Sequence, residues 1–475
     1  MRHADLPVVI QGGMGVGVSS WQLARTVSAA GQLGVVSGVA LDTLLARRLQ
    51  LGDPGGHLRR ALAAFPAPQV AERVLDRYFR PEGLPQGRPF RPVPRLSLRP
   101  RPQAVELTVA ANFAEVFLAK EGHGGVVGIN YLEKIQLATP SSLYGAMLAG
   151  VDYVLMGAGL PTEIPGLLDA LARHLPVELP VAVEGADAAE RHTVRLDPRE
   201  LLPDHPPLRR PRFLAVVSSA SLAGYLARSE RTRPDGFVVE SATAGGHSAR
   251  PRGRMTLDTG GEPVYGERDA LDLAKVAACG LPFWVAGGQA GPRPLALARA
   301  AGAVGVQVGS AFALCRESGM AGSLRQRLLR DAAAGVLAVR NDPGASPTGF
   351  PFKVAQLAGT VADPQVYAAR PRRCDLSYLR TPYRKPGGGV GFRCPAEPVD
   401  DFVRKGGSAE QAVGSRCLCN GLTATIALGQ RRSGDYDEPP LVTIGQELEF
   451  LAGLRQRAGD DFSALDVLHH LLTQE

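Results

Sequence analysis

A chain of 475 residues, 45% hydrophobic and 21% charged, has the composition of a globular enzyme and room for a barrel with insertions. Its formal net charge of +7 comes from scattered arginines with little aromatic material between them. The densest run, 80–101, therefore reads as a solvated Arg/Pro loop and not as a nucleic-acid surface. No apolar run reaches the ~18 residues of a membrane span, no leader precedes the first strand, and the cysteines show no secreted disulfide pattern, so a cytoplasmic enzyme is expected.

Residues 8–11 form a strand that opens into Gly12-Gly13-Met14-Gly15-Val16-Gly17. Ser19 or Ser20 caps a helix over 21–30, which stops at Gly31, and 33–37 is the second strand. This start predicts a right-handed parallel β-α-β unit. The glycine string falls short of a dinucleotide fingerprint, whose acidic residue would have to be Asp42; it reads as backbone passing close to a cofactor. The stretch 41–124 departs from a minimal barrel, with helices expected over 43–64, 70–80 and 105–121. Within it 52–57 resembles a phosphate loop, but no strand precedes it and a helix-turn-helix connection fits better. The third strand, 126–130, places Asn130 and Lys134 at the mouth of the barrel. The fourth is 153–156.

Residues 177–184 and 192–196 read as a β-hairpin inside an insertion that runs to 211, since no helix separates them. Strands over 213–218, 237–240, 283–286 and 304–308 bring the count to eight. The sixth runs through Glu240 into Gly245, Gly246 and His247. Paired glycines let backbone approach a flat ligand, and histidine ordinarily titrates where proton transfer needs it. A turn with a capping histidine is the plainer alternative. The seventh and eighth strands end in Gly287-Gly288 and Gly309-Ser310, where barrels commonly hold a phosphate. The expected fold is thus an α/β TIM (β/α)8 barrel over 1–318, with a helical insertion after strand 2 (41–124) and a hairpin insertion (177–211).

Residues 319–475 are expected to form a mostly helical cap, beginning with a helix over 324–334. The ordered-looking loop 341–352 either closes over the site, with Phe350 or Phe352 excluding water, or is packed structure. Cys374, Cys394, Cys417 and Cys419 include one close pair, Cys-x-Cys, which is poor spacing for zinc or iron–sulfur, so no metal is expected. Tyr265, on the loop after strand six, reaches the substrate or sits in a surface turn.

Taken together these stretches resemble the nitronate monooxygenase family, formerly called 2-nitropropane dioxygenases, which are FMN-dependent TIM-barrel enzymes. The matching residues are Val9-Ile10-Gln11-Gly12-Gly13-Met14, Gly34–Gly38, Gly128-Ile129-Asn130, Ala244–His247, Ala286-Gly287-Gly288 and Gly305–Ser310. The resemblance implies that Gly13 and Met14 flank the isoalloxazine and that Asn130 and Glu240 reach the flavin or its ribityl chain. It also implies that Gly245, Gly246, Gly287, Gly288, Gly309 and Ser310 hold the phosphate side, and that His247 is the catalytic histidine. The chain departs from the family in Gly-Gly-Met for Ala-Pro-Met, in Glu240 for glutamine and in Ser248 after the histidine. Its length looks more like the branch that includes trans-acting enoyl reductases of polyketide and polyunsaturated fatty acid synthases.

The leading expectation is oxidation of alkyl nitronates by O2. The rival is reduction of enoyl thioesters with NADPH, with an acyl carrier protein docked on Arg209, Arg210 and Arg212. A non-catalytic flavin or nucleotide sensor is the third reading, and a homo-oligomer is left open. An inosine-monophosphate-dehydrogenase-type barrel needs a loop cysteine nucleophile, which Cys315 does not supply.

Overall fold

Short runs of β-branched and aromatic residues make the frame. The computed structural model describes residues 6–187, 189–432 and 436–473. Residues 1–5, 188, 433–435 and 474–475, which fall inside the expected barrel, hairpin and cap stretches, lie outside the described residues. Eight parallel strands close into a barrel: β1 (Val9–Gln11), β2 (Leu33–Ser37), β3 (Val127–Leu132), β4 (Tyr153–Gly157), β5 (Arg212–Val217), β6 (Gly236–Glu240), β7 (Phe283–Ala286) and β8 (Gly305–Val308). Each pairs with its neighbour in sequence, and β8 returns to β1 with Val9 opposite Val306.

Side chains alternate across the barrel wall. Ile10, Val35, Leu155, Leu214, Val238 and Trp284 fill the interior, while Val9, Val36, Val154, Phe213 and Phe237 turn outward under the helices. Both faces are buried, which is why the strands read as apolar runs and not as alternating patterns. Trp284 is fully buried and its Nε1 donates to Pro7 O at 2.8 Å.

The insertion after β2 is helical, as its sequence indicates, but the expected helix over 43–64 is two: Leu41–Gln50 and His57–Ala63. The break lies at Asp53, in a left-handed conformation (φ 47°) ahead of Pro54. Its carboxylate accepts from Leu58 N and Arg59 N, both at 3.0 Å, and so satisfies the free donors of the second helix. Helices Pro68–Tyr78 and Pro102–Lys120 follow, with 80–101 irregular between them. The expected hairpin is present but shorter, Val177–Pro180 against Thr193–Leu196.

Beyond the barrel, helices Gly322–Ala333, Leu418–Thr425, Phe450–Ala458 and Ala464–Leu472 supply much of the regular structure. Short antiparallel ladders lie among them, which the sequence reading did not anticipate. One joins β9 (Val339–Asp342) to β10 (Phe352–Ala355), so the loop expected over 341–352 is mostly a hairpin connection. Ile426, Val442, Ile444 and Leu454 pack into the same core as the outer face of the barrel.

Candidate active site

A cavity of about 250 Å³ opens at the C-terminal end of the barrel. The residues that the resemblance assigns to the flavin and to catalysis all line it: Gly13, Met14, Asn130, Glu240, Gly245, Gly246, His247, Gly287, Gly288, Gly309 and Ser310. Close packing explains some of the glycines. A Cβ on Gly13 would lie 2.2 Å from Asn130 Cβ, and Gly288 holds a left-handed φ of 65°.

The cavity presents polar groups that lack internal partners. Gln307 Oε1 is buried without a hydrogen bond, and among the described residues neither the Asn130 amide nor the Glu240 carboxyl has one. An orphaned acceptor is costly unless a ligand donates to it. A flat heterocycle with N–H and C=O edges, such as an isoalloxazine, fits this donor and acceptor set. Burial raises the Glu240 carboxyl to about 7, with Lys353 opposing. Lys353 is itself fully buried, and its Nζ donates to Ala242 O at 2.5 Å and Ser248 Oγ at 2.7 Å.

His247 lies on the wall of the cavity. Its Nε2 shares a hydrogen bond of 2.7 Å with Ser346 Oγ, and its ring meets Phe352 edge-on at 4.8 Å. Burial lowers it to about 4, so the imidazole is uncharged around neutrality. Phe352 lines the cavity, and Phe350 stands 6.4 Å from the imidazole, ring centre to ring centre.

The end of the cavity where a phosphate is expected is shared with the C-terminal region. Gly445 N donates to Ser310 Oγ at 2.7 Å and Gly246 N to Thr443 Oγ1 at 2.9 Å. The Glu447 carboxylate lies against Gly288, where a side chain on that glycine would sit. The backbone cradle suits a phosphate, but this carboxylate must swing aside for one to enter.

Other candidates fall away from the cavity. Lys134 pairs with Glu133 and stacks over Phe350. Tyr265 donates to Ala249 O at 2.9 Å and accepts from Asn341 Nδ2 at 3.2 Å, which ties the loop after β6 to β9. Arg209 pairs with Asp152, and Arg210 with Asp169 and Asp235 at 2.6 Å each. These arginines enter β5 at the N-terminal end of the barrel, so they do not flank the mouth. Cys315 is fully buried, which raises its thiol and leaves it no role as a nucleophile. Cys374, Cys394, Cys417 and Cys419 gather in one small cluster as free thiols, and of these Cys419 does line the cavity. Among the described residues no group of three or more His, Cys, Asp or Glu is arranged to hold a metal.

Residues that sequence reasoning missed include Gln307, Lys353, Ser346 and Glu447, while Cys419 was weighed only as a metal ligand. Gln307 and Lys353 carried a signal, since each is a polar residue within an apolar strand. The others are brought in by the cap and carried none.

The family model of nitronate monooxygenase matches residues 212–352, the segment from β5 to the start of β10. No curated protein matches the chain. Among solved structures it is similar to FabK from Thermotoga maritima, at 17% identity and TM-score 0.47, covering 98% of this chain and 91% of that one. It is similar also to nitroalkane oxidase from Streptomyces ansochromogenes, at 16% identity and TM-score 0.44, covering 98% and 94%. The enoyl reductase domain of MlnA from Bacillus amyloliquefaciens matches at 12% identity and TM-score 0.39, covering 77% and 68%. Likenesses this weak carry nothing about activity. The closed barrel, the cavity at its mouth and the family match define the class, an oxidoreductase of flavoprotein type on a TIM barrel.

Proposed function

We propose that the cavity binds FMN and that the chain oxidises alkyl nitronates with O2. The observation that carries the reading is the convergence of the glycine cradle, His247 and the unpartnered Asn130, Glu240 and Gln307 on one cavity of a barrel whose second half the family model matches. Bound FMN would accept two electrons from the substrate and pass them to O2. Gly13 and Met14 would lie along the ring, Gln307 Oε1 would accept a ring N–H, and Gly287, Gly288, Gly309 and Ser310 would meet the phosphate. Phe352 keeps water from the imidazole. His247, uncharged and fixed by Ser346, hydrogen-bonds and orients the anionic substrate without adding a charge to the pocket.

A second reading, reduction of an enoyl thioester with NADPH, is favoured by one feature. Cap residues Leu379, Leu418 and Leu422 join Ile135 in an apolar wall of the cavity, suited to an acyl chain. The visible spectrum of purified protein and the flavin released on heating test the cofactor. O2 uptake with an alkyl nitronate against NADPH oxidation with an enoyl thioester then separates the two substrates. A colourless protein that takes up no added FMN refutes both.

A further inference from the structure

We propose that Glu240 exchanges the proton with the substrate in this cavity and that Lys353 is its positioning residue. The inference rests on the oxidoreductase reading above, yet its central group can be followed without any cofactor.

Glu240 is the last residue of β6, and its carboxyl faces the cavity with no hydrogen bond from the chain among the described residues. A carboxyl in a low-dielectric site with no donors keeps its proton more readily. Lys353 approaches from β10, the strand that crosses above the loop following β6. Its backbone N donates to Gly246 O at 2.9 Å, and its ammonium is anchored on Ala242 O and Ser248 Oγ. The ammonium is thereby fixed beside the segment that starts two residues after Glu240. A buried cation with only neutral acceptors is costly, and a nearby carboxylate offsets that cost.

The other ionisable groups around the pair are accounted for. Glu262 also acts on Lys353, but its carboxylate accepts from Asn341 N at 2.8 Å and Gln446 Nε2 at 3.1 Å. Tyr265, on the same loop, is tied to Ala249 and Asn341, and burial pushes it up. Tyr378 and Cys419 face the cavity from the cap, and burial pushes both upward, so they keep their protons. Glu447 stands at the far, phosphate end of the cavity and is exposed. His247 has one nitrogen occupied by Ser346 and its ring edge-on to Phe352. Glu240 is left as the cavity carboxyl that changes charge near neutrality, about 7, and Lys353, lowered to about 8, as its counter-charge.

The proton balance is simple. A substrate carbon that gains a proton takes it from the Glu240 O–H, leaving a carboxylate that the Lys353 ammonium stabilises. A carbon that loses a proton, as a neutral nitroalkane does in becoming the nitronate that is then oxidised, gives it to the same carboxylate.

Infrared difference spectroscopy of the ligand-free protein, titrated from about pH 5 to about pH 9, follows the C=O stretch of protonated carboxyls. A buried carboxyl titrating near 7 is expected. Its band vanishes in Glu240→Gln, its midpoint rises by about 1–2 pH units in Lys353→Met, and it stays in place in His247→Asn. In the loaded enzyme the limb of kcat/KM near neutrality is lost in Glu240→Gln and rises with Lys353→Met. A band that survives Glu240→Gln, or a limb that Lys353→Met leaves unmoved, overturns the assignment; Glu240→Gln decides alone should Lys353→Met not fold. FMN uptake, measured separately, tells a failure of the cofactor reading from a failure of this one.

Discussion

Glu447 gives the most direct test of how a phosphate is received. Its carboxylate lies against Gly288, within the cradle formed by the loops after β7 and β8. A phosphate entering there meets a like charge. At about 5 Å, two unit charges repel by about 3 kcal/mol at an effective dielectric of about 20, and by less than about 1 kcal/mol in water. Glu447 is exposed, so the watery limit is nearer, and moving the side chain aside relieves part of the repulsion. Glu447→Gln should therefore tighten FMN binding by about 1 kcal/mol, a factor of about 5. Quenching of flavin fluorescence at low and high salt measures this. Wild-type binding should strengthen with salt relative to the variant, because screening removes the repulsion. A Glu447→Gln protein that is folded and binds FMN no better than wild type refutes the placement of the phosphate.

Three further outcomes follow from the packing. Gly13→Ala forces a methyl to 2.2 Å from Asn130 Cβ, which should cost about 1–3 kcal/mol in urea unfolding and lower FMN affinity at least about tenfold. Trp284→Ala empties the barrel interior and strands Pro7 O, and should cost about 3–5 kcal/mol, with Trp284→Phe costing less. His247 lies at about 4 in the fold against an ordinary 6.5, so on acidification the unfolded chain takes up the proton first. Its contribution is complete above about pH 6.5 and is lost as the pH falls toward 4, about 2–4 kcal/mol in all. Unfolding curves across that range should be flatter for His247→Asn, and equal slopes would sink the argument.

The barrel was legible because its chemistry is local. A strand buried on both faces must be a short apolar run, and its C-terminal end must turn, so Phe237–Glu240 and Phe283–Ala286 announce themselves with a glycine pair or a polar residue close behind. The helix break at Asp53 was half legible. The turn residues 52–57 were visible, but the capping carboxylate that makes 57–63 a separate helix depends on one side chain's direction. The β9–β10 ladder was hidden, since a loop rich in proline and glycine separates two strands of four residues each.

What sequence could not give is the part of the site that arrives from far along the chain. Ser346 meets His247 across 99 residues, and Gly445 meets Ser310 across 135. No local pattern encodes such contacts, because they are fixed by how the cap docks. Yet one clue stood in the open. Lys353 follows Phe352 within a buried strand, and a lysine takes that position only with acceptors and a counter-charge to receive it. Glu240, where the resembling family more often has glutamine, is the matching oddity on the barrel side. Two polar exceptions in two apolar strands, 113 positions apart in sequence, explain each other once the hairpin lies over the barrel mouth. They also explain why the chain tolerates an acid where a neutral amide would be easier to bury.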